Sequence, residues 1–179
     1  MRLFIAVLLS DSVKADLLKL QEQLRSKADR GSFTRPENFH LTLAFLGETP
    51  ESRLPVLHHV IGEIEHSPFE INFTKCGFFK HAQNEIWWAG ADPSDPNLPE
   101  LKSLHGKLVN GLEREGFPVD KRPFKAHITL GREIRHSKPI VLDKPEIKVR
   151  VDRISLMKSE RIDGVLRYEE MHPPPFQKK

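Results

Sequence analysis

Apolar residues run without interruption from Leu3 to Leu9, a length that suits a buried strand and is far too short to cross a membrane. After Asp11, read as an N-cap, Val13, Leu17, Leu20 and Leu24 recur at helical spacing with Lys14, Lys19, Glu22 and Arg25 between them. Gly31, Pro36 and Asn38 mark a loop, and Phe39 to Leu46 reads as a strand that stops at Gly47. Thr49-Pro50-Glu51 has the form of a cap followed by a first-turn proline, and Leu54, Leu57, Ile61 and Ile64 give the second helix its buried stripe. Phe69 to Phe79 and Glu85 to Ala91 predict a hairpin joined through His81, Gln83 and Asn84. Leu98, Leu101, Leu104, Leu108 and Leu112 predict a third helix ending near Gly116, and Ala126 to Leu130 a further strand. Ile147, Val149 and Val151 alternate with Lys148, Arg150 and Asp152, and Asp163-Gly164 turns the chain into a last strand through Tyr168. The tail Pro173-Pro174-Pro175 cannot join a sheet and is expected to fray. The pattern predicts one strand-rich α+β domain over residues 1–179, built from two similar halves.

Composition narrows the class without choosing a function. The chain has 179 residues, 38% hydrophobic and 30% charged, as expected of a folded domain rather than a disordered or membrane chain. A net charge of +3, nine histidines and a sequence pI of about 9.0 suit a polyanionic partner. Cys76 has no second cysteine to pair with, which favours a reducing compartment and a small buried apolar role. Met1-Arg2 and the apolar run imitate a secretory leader, but Asp11, Lys14 and Asp16 follow at once and no small-residue cleavage site appears. A cytoplasmic monomer without membrane attachment is expected.

The most informative feature is an echo. Phe39-His40-Leu41-Thr42-Leu43-Ala44 returns as Ala126-His127-Ile128-Thr129-Leu130-Gly131, each time inside an apolar strand. Alternation along a strand places His40 with Thr42 on one face, and Phe39, Leu41, Leu43 and Phe45 on the other, in the core. His127 and Thr129 share a face in the same way, with Ile128 and Leu130 behind. Opening a cyclic phosphodiester requires one group to take a proton from water and another to give one to the departing ribose oxygen. Imidazole titrates near neutrality and can do either, so two of them make a complete set. The threonine hydroxyls add donors for the non-bridging oxygens. This chemistry needs neither metal nor cofactor.

Other residues are weighed against structural roles. Arg122 and Arg132 flank the second phrase and could grip phosphate bidentately, although strict alternation turns Arg132 away from His127 unless Gly131 bends the strand. Phe124 suits either base stacking or burial. Of Trp87 and Trp88 one ring must face each side of its strand, with packing the expected role of both and a cleft wall the alternative for one. His58, His59, Glu63, Glu65 and His66 lie on a solvated helix face, and no H-E-x-x-H, C-x-x-C or G-x-x-x-x-G-K-[ST] pattern occurs.

The chain resembles the RNA 2′,3′-cyclic phosphodiesterases of the two-histidine phosphoesterase superfamily, also called bacterial and archaeal 2′-5′ RNA ligases. The resemblance is carried by Arg2-Leu3-Phe4-Ile5-Ala6, by Pro36 through Glu48 and by Arg122 through Arg132, with support from Ser155 to Ser159 and Tyr168. It implies a bilobal fold in which two pseudo-symmetric antiparallel sheets, flanked by helices, face each other across a central cleft. It implies His40 as proton donor, His127 as proton acceptor and a 2′-phosphate product, from RNA ends or nucleotides bearing a 2′,3′-cyclic phosphate. Phe33 stands where relatives often carry tryptophan, and Lys125-Ala126 where a proline is common, which leaves the base-contacting surface open. Two other readings stand beside hydrolysis: ATP-independent 2′-5′ RNA ligation at the same histidines, and a non-catalytic RNA-end binder. A transphosphorylating nuclease would leave a cyclic end instead of opening one.

Overall fold

The computed structural model describes residues 1–172, so the proline tail lies outside the described residues. In chain order the elements are β1 (Arg2–Leu8), α1 (Asp11–Lys27), β2 (Arg30–Phe33), β3 (His40–Glu48), α2 (Leu54–Gly62), β4 (Phe69–His81), β5 (Asn84–Ala91), α3 (Leu98–Arg114), β6 (His127–Arg135), β7 (Ile147–Val151), β8 (Ser155–Ile162) and β9 (Val165–Glu170). They form a four-stranded sheet in the order β3-β1-β8-β9 and a five-stranded sheet in the order β2-β6-β5-β4-β7. Every pairing is antiparallel.

The two halves exchange helices. In each, the strand before a long helix pairs with the strand that carries an H-x-T phrase: β1 with β3, and β5 with β6. Helix α1 leaves the first sheet and packs on β2, β6 and β7 of the second, whereas α3 leaves the second sheet and packs beside α2 against β3 of the first. Leu17, Leu20, Gln21 and Leu24 form the buried stripe of α1. Leu101, Leu104, Leu108 and Leu112 do so in α3. With Leu3, Ile5, Val7, Leu41, Ile128 and Val149 they join one continuous core. Phe4, Ala6 and Met157 sit on the other face of the first sheet with Leu8 and Tyr168. Among the described residues no helix is long and apolar enough to cross a membrane.

Several boundaries differ from expectation for local reasons. Ser10, not Asp11, caps α1, its hydroxyl accepting from the Val13 N–H at 3.3 Å. Thr49 does not cap α2: a 3-10 turn over Glu51–Arg53 precedes that helix, and the Thr49 hydroxyl donates to the Gly47 carbonyl at 3.3 Å. The segment expected as a loop after α1 contains β2, an edge strand without apolar alternation that exists because β6 offers it a ladder. Asp163 and Gly164 take φ values of 51° and 78°, as a tight two-residue hairpin requires.

The largest correction concerns Phe45, which is 51% exposed and not in the core. Ala6 pairs with Thr42 but the preceding residue Ile5 pairs with Ala44, so Leu43 is an extra residue in β3. This β-bulge turns two successive residues, Leu43 and Ala44, to the core and reverses the alternation beyond them. Phe45 therefore pairs with Phe4 on the face that bears His40 and Thr42. Denaturant melts should separate the two phenylalanines of this strand's motif: Phe39→Ala, 1% exposed in the native fold, should cost about 3–5 kcal/mol. Phe45→Ala should change stability by less than about 1 kcal/mol. Comparable losses would contradict the bulge.

Candidate active site

The same bulge recurs in β6. Trp88 pairs with Thr129 while Trp87 pairs with Gly131, so Leu130 is the extra residue and Gly131 follows it to the core side. A Cβ at Gly131 would lie 3.0 Å from the Ile134 side chain and 3.3 Å from Phe33, which leaves little room there for anything but glycine. The reversal returns Arg132 to the face of His127 and Thr129, and its charge is felt by His127, His40 and Tyr168 alike. Strict alternation, which turns Arg132 away, fails at this bulge, one residue earlier than the Gly131 bend that would rescue it. His40-Thr42-Phe45 and His127-Thr129-Arg132 are thus equivalent triplets on opposing sheets.

A buried amide holds the second bulge. Gln21 of α1, 1% exposed, donates through Nε2 to the carbonyls of Leu130 and Thr34, both at 2.7 Å. The Thr34 N–H also donates to the Leu130 carbonyl at 3.0 Å. Bulging withdraws that carbonyl from the ladder, and a buried acceptor must find partners elsewhere. In the first half burial holds His105 of α3 below its ordinary pKa, and the Leu43 carbonyl opposes this.

Each cleft imidazole is fixed by the same local device. His40 Nδ1 lies 2.7 Å from the Asn38 carbonyl, and His127 Nδ1 lies 2.7 Å from the Lys125 carbonyl. A carbonyl only accepts, so each Nδ1 carries the hydrogen and each Nε2 is left to exchange protons. The ring of His40 packs against Phe4 at 4.8 Å and edge-on against Tyr168 at 5.1 Å. That of His127 packs edge-on against Phe79 at 5.0 Å and against Trp88 at 6.5 Å. Asn38 is itself buried, and its amide donates to the Leu166 carbonyl at 2.9 Å, tying the first motif to β9 and hence to Tyr168.

Burial holds both imidazoles below their ordinary pKa of 6.5, and the carbonyl hydrogen bonds oppose this. Arg132 depresses both further; His127 and Lys14 add to the effect on His40, and Lys125 to that on His127. The two rings are close enough for the charge of one to lower the proton affinity of the other. Among the described residues neither threonine hydroxyl is taken by a protein hydrogen bond, so Thr42 and Thr129 keep their donors for a ligand.

The remaining candidates are distributed differently. Arg122 is exposed, its guanidinium held on Asp120, and no contact ties it to the imidazoles. Phe124 stacks on His105 at 4.0 Å and lines a cavity beside His127. Trp87 lies in the core, its N–H donating to Glu85 at 2.8 Å. Trp88 stands on the cleft side, so the cleft-wall alternative applies to it. His59 of α2 pairs at 3.4 Å with Glu63, which caps the end of that helix, and Glu65 and His66 lie beyond the helix rather than on its face. Cys76 is half-buried, which pushes its thiol up to about 11. Among the described residues no group of three or more His, Cys, Asp or Glu side chains is placed to hold a metal ion. Sequence reasoning missed Phe4, Phe79 and Lys125 as neighbours of the pair; the basic Arg122-Pro123-Phe124-Lys125 run was the one signal for Lys125.

Comparison with known proteins matches this geometry. Residues 9–163 match the family model of the 2′-5′ RNA ligase superfamily. A curated relative from Archaeoglobus fulgidus, named RNA 2′,3′-cyclic phosphodiesterase, is 34% identical over 80% of this chain and 78% of its own. A Thermotoga maritima protein of the same name is 31% identical over 89% of this chain and 87% of its own. The crystal structure of Escherichia coli LigT complexed with 3′-AMP superposes with a TM-score of 0.81 at 25% identity, covering 96% of this chain and 95% of that one. The duplicated motif, the paired sheets and a match spanning most of the sequence agree: the chain belongs to the 2′-5′ RNA ligase superfamily.

Proposed function

We propose that this protein hydrolyses 2′,3′-cyclic phosphates at RNA ends or on nucleotides, leaving a 2′-phosphate, with His40 as proton donor and His127 as proton acceptor. The observation that carries the reading is the pair of imidazoles on opposing sheets, each with Nδ1–H committed to the carbonyl two residues earlier. The names of the relatives from A. fulgidus and T. maritima support it. Neutral His127 takes a proton from water through Nε2 as the oxygen attacks phosphorus. Protonated His40 gives one to the ribose 3′ oxygen as the P–O3′ bond breaks. Solvent exchange then restores both rings. Thr42, Thr129 and Arg132 would hold the non-bridging oxygens, where charge grows in the transition state.

Productive enzyme carries one proton on the two rings, on His40 and not on His127. With both proton affinities lowered, kcat/KM should peak on the acid side of 6.5. Incubation with the four nucleoside 2′,3′-cyclic phosphates, followed by phosphorus NMR, reads activity, base preference and regiochemistry together. Exclusive 3′-phosphate product would overturn the assigned leaving group. Turnover should be unchanged by EDTA; loss restored by zinc would reject a metal-independent mechanism. ATP-independent 2′-5′ ligation uses the same atoms, with a ribose hydroxyl in place of water, and supplying both RNA ends measures which direction prevails.

A further inference from the structure

A cavity of about 390 Å³ opens beside His127, with Trp88, Phe124 and the lysines Lys75, Lys102 and Lys125 in its wall. The lysines come from β4, from α3 and from the segment entering β6, so three separate parts of the chain bring basic residues to the lining of one hollow. Among the described residues none of the three is in an ion pair. Asp92, whose carboxylate feels the charge of Lys75, accepts hydrogen bonds from Thr74 and Ser94 instead of pairing with it. The Lys125 ammonium rests 4.2 Å from the centre of the Trp88 ring.

Trp88 is the shared wall between this cavity and the catalytic cleft, its ring 6.5 Å from that of His127. Glycines make its position possible: a Cβ at Gly77 or Gly90 would fall 2.5 or 2.6 Å from the indole. Its buried N–H has no acceptor among the described residues. An aromatic wall with unpaired ammonium groups fits a nucleotide better than it fits an uncharged ligand.

The geometry points to this cavity as the subsite for the nucleotide on the 5′ side of the cyclic end, with Lys75 and Lys102 on the phosphodiester that joins it to the terminal ribose. The inference rests on the proposed placement of the cyclic phosphate between His40 and His127. It makes the preferred substrate an RNA chain end rather than a free cyclic nucleotide.

The test compares a dinucleotide ending in uridine 2′,3′-cyclic phosphate with uridine 2′,3′-cyclic phosphate itself. Wild-type protein should favour the dinucleotide in kcat/KM, and Lys75→Gln/Lys102→Gln should lower that preference ratio about tenfold. Added salt should shrink the ratio in the wild type. The same ratio is read without turnover by calorimetric binding of both ligands to His40→Ala protein, with and without the two lysine changes. A binding preference that the lysine changes abolish supports the subsite even if the wild type hydrolyses neither ligand, an outcome that would reject only the activity. Equal affinity for both ligands, or a preference untouched by the lysine changes, overturns the subsite whatever the activity.

Discussion

His40→Ala and His127→Ala should each lower kcat/KM for a nucleoside 2′,3′-cyclic phosphate by about three orders of magnitude, the middle of the range for one acid–base group. The double variant should be little worse than either single one, because a concerted proton exchange fails when one partner is missing. The loss should fall mainly on kcat. Thr42, Thr129 and Arg132, the residues proposed to hold phosphate, are untouched by these changes, so product-like nucleotides should still bind. His40 sits between Phe4 and Tyr168, and removing its ring leaves space there. His40→Gln fills more of that space and serves as the control, expected to melt near the wild type and to be equally inactive. Near-normal turnover by either alanine variant would end the two-histidine reading and leave RNA-end binding as the better account.

The residues expected to do this chemistry were legible because each sits in a repeated phrase whose apolar partners fix its face. Leu41 and Ile128 are fully buried, and that burial alone sends His40 and His127 to the opposite side. The strand beyond the threonine was not legible. Alternation is a local rule, and a bulge is decided by what the freed carbonyl meets on another element, as Leu130 meets Gln21 on α1. For the same reason Phe45 reads as core and Arg132 as turned away until the register is known. Tyr168 and Phe79 were invisible as neighbours of the histidines, since they arrive through strand order. The edge strand β2 was missed because its partner, not its own composition, makes it a strand.

Arg132 is where that hidden register meets the chemistry, and Arg132→Met should lower kcat/KM by about 10²-fold through loss of a charged donor to the phosphate. It should also move the pH profile. Arg132 holds both imidazoles down, so removing its charge raises both toward 6.5 and shifts the kcat/KM optimum upward. Arg132→Lys keeps the charge and loses the planar fork. It should leave the optimum where it was while still weakening phosphate binding, which separates the electrostatic effect from the contact. Gln21→Leu supplies a third arm that never touches the ligand. It leaves the Thr34 carbonyl without its amide partner, at about 1–3 kcal/mol of stability, and the Leu130 carbonyl with the Thr34 N–H alone. It also frees the bulge that aims Arg132. Its optimum should therefore move upward, like that of Arg132→Met, in protein that is still folded at the assay temperature. An unmoved optimum in Gln21→Leu would show that the bulge keeps its shape without α1, and that Gln21 contributes stability alone.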